Sequence, residues 1–201
     1  MKKLILSKIR DSIKNQYPKY SEDKLDEIMY GVEGIYLTIT KAVIIFTLAF
    51  ILGIFKELLI LLLAFNFIRL FAFGMHAPNS AICLVTSSIL FLGCAYLCKV
   101  VTIPREILYI LYILAGIIIT AYAPADTVKR PLIKKRKRLI FKTLSISVTI
   151  IYFIISFFIK NNLLINSLII GLLIECLLII PITYKIFKTP YMNYKNYGLN
   201  T

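Results

Sequence analysis

Residues 141–183 read FKTLSISVTIIYFIISFFI, then KNN, then LLINSLIIGLLIECLLIIPIT. Each apolar stretch is about as long as a bilayer-spanning helix, which needs about 20 mostly apolar residues. Four earlier stretches have the same character, at 36–55, 57–74, 80–98 and 106–123. We therefore predict an all-α, polytopic integral membrane protein with about six transmembrane helices.

The composition of the whole chain agrees with this interpretation. Of its 201 residues 59% are hydrophobic and 17% are charged, whereas soluble proteins are about 45–50% apolar. A soluble core of this size cannot bury the excess, so cytosolic enzymes, secreted disulfide scaffolds and disordered tails fit poorly. The four cysteines lie in apolar stretches without a disulfide-type spacing, and we expect free thiols at Cys83, Cys94, Cys98 and Cys176.

The net charge of +14 is distributed unevenly between the two sides of such a bundle. Eighteen basic residues lie in residues 1–34, the loop 124–142 and the C-terminal tail, against four in the opposite loops. By the positive-inside rule we expect a multi-pass cell-membrane protein with both termini in the cytoplasm. The basic run 134–138 lies between membrane helices without a recognition element, so we expect no nucleic-acid partner.

The N-terminal region differs from the rest of the chain. Apolar and basic residues alternate at helical spacing over 2–16, which favours an amphipathic helix lying against the inner headgroups of the lipid bilayer. Ser21 resembles the N-cap of another short helix. We predict an interfacial region at 1–34, a six-helix transmembrane domain at 35–184 and a cytoplasmic tail at 185–201.

The chain has one histidine, His76, seven residues before Cys83. On one continuous helix these residues would be about 10.5 Å apart, too far for a hydrogen bond. Pro78 favours a helix that starts near itself, and Gly74 supplies backbone freedom for a reversal before it. His76 would then lie in a loop that folds back to hold Cys83 as a thiolate, with Arg69 adding positive potential. The alternative is a solvated surface histidine.

A metal site is the competing interpretation of these residues. A metal site fits poorly, because Cys94 lies about 16 Å beyond Cys83 along a helix and no Cys-x-x-Cys occurs. We expect neither a metal nor a cofactor.

Glu175 lies inside an apolar stretch, where a carboxylate is unfavourable unless paired. An ion pair with Arg69 or Lys41 is favoured over a catalytic role.

Two motifs resemble the accessory gene regulator protein B family, whose members are integral-membrane cysteine peptidases that mature quorum-sensing propeptides. The first consists of Arg69, Gly74, His76, Ala77 and Cys83, and the second of Tyr122-Ala-Pro-Ala-Asp-Thr127 followed by Lys129-Arg-Pro-Leu132. The resemblance covers nearly the whole chain and implies Cys83 as the nucleophile and His76 as its base, supported by Arg69, Gly74 and Pro78.

The resemblance also implies a substrate and a reaction. The partner would be a short amphipathic propeptide with an acidic C-terminal segment, which is cut off while the rest is held on Cys83 and cyclised to a thiolactone or lactone. Lys129, Arg130 and Glu175 are candidate substrate contacts, and a homodimer is a plausible assembly. The alternative is a non-enzymatic membrane transporter of a small peptide, which Arg69 and Glu175 inside the bundle would also allow.

Overall fold

The computed structural model is 81% helical and describes residues 2–75, 80–127 and 132–197. Within these ranges no strand forms beyond an isolated bridge between Phe73 and Ala125. The helices in chain order are α1 (Lys2–Gln16), α2 (Glu22–Ile51), α3 (Phe55–Ala72), α4 (Ser80–Val100), α5 (Arg105–Tyr122), α6 (Lys135–Phe158), α7 (Asn162–Ile179), α8 (Pro181–Ile186) and α9 (Tyr194–Tyr197). The predicted all-α polytopic class is confirmed.

Five described helices are long and apolar enough to cross a membrane, namely α2, α4, α5, α6 and α7. The helix predicted at 57–74 also forms, as α3, and has the same 18-residue length as α5 and α7. It carries three charged residues, Lys56, Glu57 and Arg69. The chain is a membrane protein by the length and apolar character of the five helices named above, and the three charges within its 18 residues set α3 apart from that group.

The first 48 residues form a compact unit of their own. Here α1 runs as predicted, and Arg10 donates to Glu22 (2.8 Å) and Asp26 (2.6 Å) at the start of α2. Ser21 caps that start, because its Oγ accepts from the Lys24 N–H at 3.3 Å. The prediction of a separate short helix after Ser21 is wrong. The helix that starts after Ser21 is continuous with the first membrane helix, and together they form the 30-residue α2, since no proline interrupts the chain.

The helix predicted from 141 begins at Lys135, so most of the basic run predicted as a loop lies in the first turn of α6. Two predicted helix ends are also corrected, and each has a local cause. The first membrane helix ends at Ile51 rather than at 55, because Gly53 adopts a left-handed φ of 64° and reverses the chain. Lys56 and Glu57 consequently lie in the first turn of α3. The last helix was predicted to extend to 183 but ends at Ile179, because Pro181 starts a new helix and holds Ile180 extended.

In the second unit, residues 49–201, α7 is the central helix. It packs against α3, α4, α5 and α6, and 61% of its most apolar window is buried, compared with 17–28% for α4, α5 and α6. Gly171 lets α3 approach closely: a Cβ there would lie 3.0 Å from the backbone nitrogen of Phe65. Tyr152 of α6 adds a polar link by donating to the Ala64 carbonyl at 2.7 Å.

Backbone hydrogen bonds join the helix ends at one end of this unit. Gly74 donates to Ala125 and Ala125 donates to Ala72, both at 2.9 Å, while Met75 donates to Leu178 at 3.2 Å. The segment after α3 is thereby fixed to the segment after α5 and to the last turn of α7. Candidate functional residues from distant parts of the sequence meet at this end.

Candidate active site

Cys83 lies in the first turn of α4, which begins at Ser80 as the sequence predicted. Its thiol is partly exposed. The sulfur is 3.9 Å from the hydroxyl oxygen of Ser87, one helical turn further along. Ser87 was not singled out in the sequence, because a serine one turn after a cysteine has no distinctive signal of its own. The Ser87 hydroxyl is placed so that it can donate a hydrogen bond to the Cys83 sulfur.

The Cys83 thiol lines a cavity of about 460 Å³, called here the thiol cavity. Most of the lining is apolar, and Arg69 is its one charged member. The complete lining is Phe65, Arg69, Met75, Cys83, Thr86, Ser87, Ile89, Leu90, Phe91, Leu178 and Phe187. The Cys83 thiol therefore lies in a largely apolar space at one end of the bundle.

Arg69 is the charged residue of the thiol cavity, and it connects α3, α7 and the segment that follows α3. Its Nη1 donates to Glu175 Oε2 at 3.0 Å, and its Nη2 donates to the Met75 carbonyl at 2.8 Å. The guanidinium also lies over the Phe65 ring, 5.3 Å from the centroid. Arg69 thus holds the backbone at Met75, the residue before His76, and ties it to α7.

Glu175 is the buried partner in this arrangement, as the favoured interpretation of the sequence proposed. Its side chain is fully buried, whereas that of Arg69 is 16% exposed. The second carboxylate oxygen, Oε1, is buried and has no hydrogen-bond partner among the described residues. A direct contact between Glu175 and a substrate stays a prediction.

Gly74 makes the chain reversal that the sequence assigned to it. Its φ is 106°, a conformation that side chains with a Cβ rarely adopt, and Phe73 before it is also at a positive φ of 63°. A Cβ on Gly74 would lie 3.1 Å from Arg69 Nη1 and 3.3 Å from Glu175 Oε1. Glycine is therefore required both by the backbone conformation and by the closeness of the ion pair.

Asp126 anchors the C-terminal segment to the same end of the bundle. Its Oδ1 accepts from the Asn193 N–H at 3.0 Å and its Oδ2 from the Tyr194 N–H at 2.7 Å. The Tyr184 hydroxyl donates to the Asp126 carbonyl at 3.3 Å. The sequence indicated this residue only as part of the 122–127 motif. Its partners lie more than 50 residues away, so their contact could not be inferred from spacing.

Several predicted site residues lie outside the described residues, namely His76, Pro78, Lys129 and Arg130. The pairing of His76 with Cys83 and the substrate contacts of Lys129 and Arg130 accordingly stay predictions. The described predicted residues Arg69, Gly74, Cys83 and Glu175 all lie at or next to the thiol cavity.

Comparisons with known proteins identify the family of this chain. A family model described as accessory gene regulator B matches residues 6–179. A putative AgrB-like protein of Clostridium acetobutylicum is 31% identical, over 90% of this chain and 86% of its own length. The accessory gene regulator protein B of Staphylococcus saprophyticus is 32% identical, over 78% of this chain and 83% of its own. No solved structure matches. The chain therefore belongs to the quorum-sensing accessory gene regulator B family.

Proposed function

We propose that this protein is a membrane-embedded cysteine endopeptidase that matures a quorum-sensing propeptide. It cleaves the propeptide before an acidic C-terminal segment and promotes cyclisation of the remainder to a thiolactone or lactone. The observation that carries the proposal is the partly exposed Cys83 thiol, which lines the thiol cavity together with Arg69 and Met75. Membership of the accessory gene regulator B family supports it.

The reaction uses two acyl transfers. The His76 imidazole takes the Cys83 thiol proton, and the thiolate attacks the carbonyl carbon of the scissile peptide bond. A C–S bond forms, the C–N bond breaks, and the leaving amine takes the proton from the imidazolium. A thiol or hydroxyl of the bound propeptide then attacks the thioester carbonyl and passes its proton to the His76 imidazole. Cys83 departs as a thiolate and is protonated again as the ring closes.

The lining of the thiol cavity suits the second step. Aromatic and aliphatic side chains such as Phe65, Leu90 and Phe187 line the cavity together with Cys83, and a peptide that fills such an apolar space displaces water from it. Hydrolysis of the thioester would release a linear peptide. A nucleophile within the bound propeptide is instead held close to the carbonyl carbon and forms the ring. The cavity therefore favours ring closure over hydrolysis.

The proposed orientation places the thiol cavity at the cytoplasmic face, with both termini on that side. The basic first turn of α6 supports it, since Lys135, Arg136, Lys137 and Arg138 start that helix. A cytoplasmic propeptide would reach Cys83 from this face. Cysteine-accessibility labelling at Lys137→Cys in intact cells tests the orientation. Labelling by a membrane-impermeant reagent would overturn it.

The function is tested with purified protein in lipid and the propeptide encoded beside its gene, by intact-mass spectrometry. Wild type is expected to gain the mass of the truncated propeptide, and hydroxylamine should release it because the linkage is a thioester. Cys83→Ala should show neither adduct nor cleavage, and His76→Ala should lose most of both. Cys94→Ala is the matched control, since Cys94 lies on the same helix outside the thiol cavity. Undiminished cleavage by Cys83→Ala would rule out the peptidase and leave a peptide transporter as the alternative.

A further inference from the structure

A second cavity, of about 650 Å³, lies at the same end of the bundle and is separate from the thiol cavity. It is lined by the end of α5 and the segment 123–126 after it, by the first two turns of α6 and by the segment 191–194. Four cations line it, Lys135, Arg136, Arg138 and Lys142, together with three tyrosines, Tyr122, Tyr191 and Tyr194. It is called here the basic cavity.

The charge of the basic cavity is not balanced within the described part of the chain. Asp126 is the one acidic residue in its lining, and both of its carboxylate oxygens accept from backbone N–H groups. No described carboxylate lies within ion-pair distance of the four cations. The first turn of α6 also has no acidic residue to offset the helix dipole. The cations therefore repel one another, and an anion in the cavity would relieve this repulsion.

Three of the four cations lie on one face of α6, and one of them is preoriented. Lys135, Arg138 and Lys142 are three and four residues apart, so they project from the same side of the helix. The guanidinium of Arg138 lies over the Tyr194 ring, 3.7 Å from its centroid. Stacking fixes the plane of this group and leaves its N–H edge free to bind phosphate oxygens.

The surroundings of the basic cavity are apolar and belong to a membrane-spanning helix. Leu139, one of its lining residues, is 65% exposed, and Ile140 and Leu144 are exposed beside it. These residues begin the apolar band of α6, immediately after its basic first turn. The cavity thus lies where the apolar band meets the charged turn, which is the level of lipid headgroups.

We propose that the basic cavity binds the headgroup phosphate of an anionic phospholipid, whose acyl chains lie along the exposed side chains that begin at Leu139. Lys135, Arg138 and Lys142 hold the phosphate, and the tyrosines pack at the interface around it. An acidic peptide would match the cations equally well, but it would leave the adjoining apolar band of α6 unused. The site does not depend on the peptidase reaction proposed above.

The test compares two double variants that remove the same charge from the start of α6 and its N-cap. Lys135→Gln with Lys142→Gln takes two cations out of the basic cavity. Lys134→Gln with Lys137→Gln is the matched control, since both of these residues are exposed and neither lines the cavity. Each protein is reconstituted in phosphatidylcholine nanodiscs with and without phosphatidylglycerol. The lipid that remains bound after release is counted by native mass spectrometry, and thermal unfolding confirms that each variant is folded.

We expect wild type and the control to retain phosphatidylglycerol in preference to phosphatidylcholine, and the cavity variant to bind it about 30-fold more weakly. Equal losses in the two variants would overturn the proposal, because binding would then depend on total charge alone. Displacement of the lipid by millimolar inorganic phosphate would identify a free-phosphate site instead. Displacement by micromolar poly-glutamate, with no preference between the two lipids, would identify an acidic-peptide site. Either displacement result would also overturn the proposal.

Discussion

Arg69 and Glu175 form a buried ion pair between α3 and α7, with 3.0 Å between Nη1 and Oε2. The same guanidinium donates to the Met75 carbonyl at 2.8 Å. One arginine therefore links the central helix to the backbone that leads into His76. The pair has two separable tasks, which are to hold two helices together and to fix the segment before the predicted base.

Glu175→Gln is expected to destabilise the protein and to abolish propeptide processing. The amide keeps the shape of the carboxylate but leaves the Arg69 charge without its partner, and breaking a buried pair in this way costs about 3–5 kcal/mol. Thermal unfolding in nanodiscs measures the first effect and propeptide cleavage the second. Wild-type stability in this variant would show that the pair contributes nothing to the fold.

The double variant Arg69→Met with Glu175→Leu separates the two tasks. Replacing a buried ion pair by apolar side chains is often neutral or stabilising, so the unfolding temperature should recover toward that of wild type. The carbonyl of Met75 would still lack its donor, and processing should stay lost. Recovery of processing together with stability would mean that Arg69 acts only as a link between helices.

Gly74→Ala is expected to abolish processing with a smaller effect on unfolding than Glu175→Gln. The new Cβ would meet Arg69 Nη1 at 3.1 Å and the φ of 106° would be strained, so the segment before His76 must shift. Gly93→Ala is the control, because a Cβ there meets nothing within 4 Å and alanine favours the helix. Processing by Gly74→Ala at the rate of Gly93→Ala would contradict the role given to this reversal.

The helices were predictable because lipid imposes a single strong requirement on them. Long apolar stretches must form helices in a bilayer, and a helix forms at each of the six predicted positions, five of them long and apolar enough to cross a membrane. Their ends depended on local backbone states that hydropathy does not report. Gly53 ends α2 early through its left-handed φ, and Pro181 divides the last predicted helix.

The candidate site was only partly predictable from the sequence. Cys83, Arg69 and Gly74 were indicated by residue type, spacing and family resemblance, and they do lie together around or beside the thiol cavity. The anchoring of Asp126 by Asn193 and Tyr194 was not predictable, because it joins positions 67 and 68 residues apart through backbone N–H groups. The types of the residues do not show which backbone N–H groups will act as donors.

Gly171→Ala is expected to destabilise the bundle at the contact between α7 and α3. Its Cβ would stand 3.0 Å from the Phe65 nitrogen and 3.3 Å from the Ala64 Cβ, so α3 must move away from α7. Overpacking of this kind typically costs about 1–3 kcal/mol. Gly116→Ala on α5 is the control, since a Cβ there has open space. Equal unfolding temperatures for the two variants would show that α3 can move away from α7 without loss of stability.

Asp126→Ala is expected to release the C-terminal segment. The side chain accepts from the N–H groups of both Asn193 and Tyr194, and hydrogen bonds to a charged group contribute about 1.5–3 kcal/mol each. Limited trypsin digestion should therefore cleave after Lys188 at least about tenfold faster than in wild type. Asp11→Ala, which removes an exposed acid from α1, should leave this rate unchanged. An unchanged rate in Asp126→Ala would show that the segment is held by its other contacts.

The same variant should have a pH-dependent effect on stability. Burial raises the pKa of the Asp126 carboxyl, and the N–H groups of Tyr194, Asn193 and Leu132 and the charge of Arg138 only partly oppose it. The native state therefore holds this proton more tightly than the unfolded state does. The stabilising contribution of Asp126 is then fully present below its ordinary pKa of about 3.9 and declines as the pH rises through the raised value. The loss of unfolding free energy caused by Asp126→Ala should accordingly be larger at pH 4 than at pH 7. A larger loss at pH 7 would mean that the backbone donors outweigh burial and hold the pKa below its ordinary value.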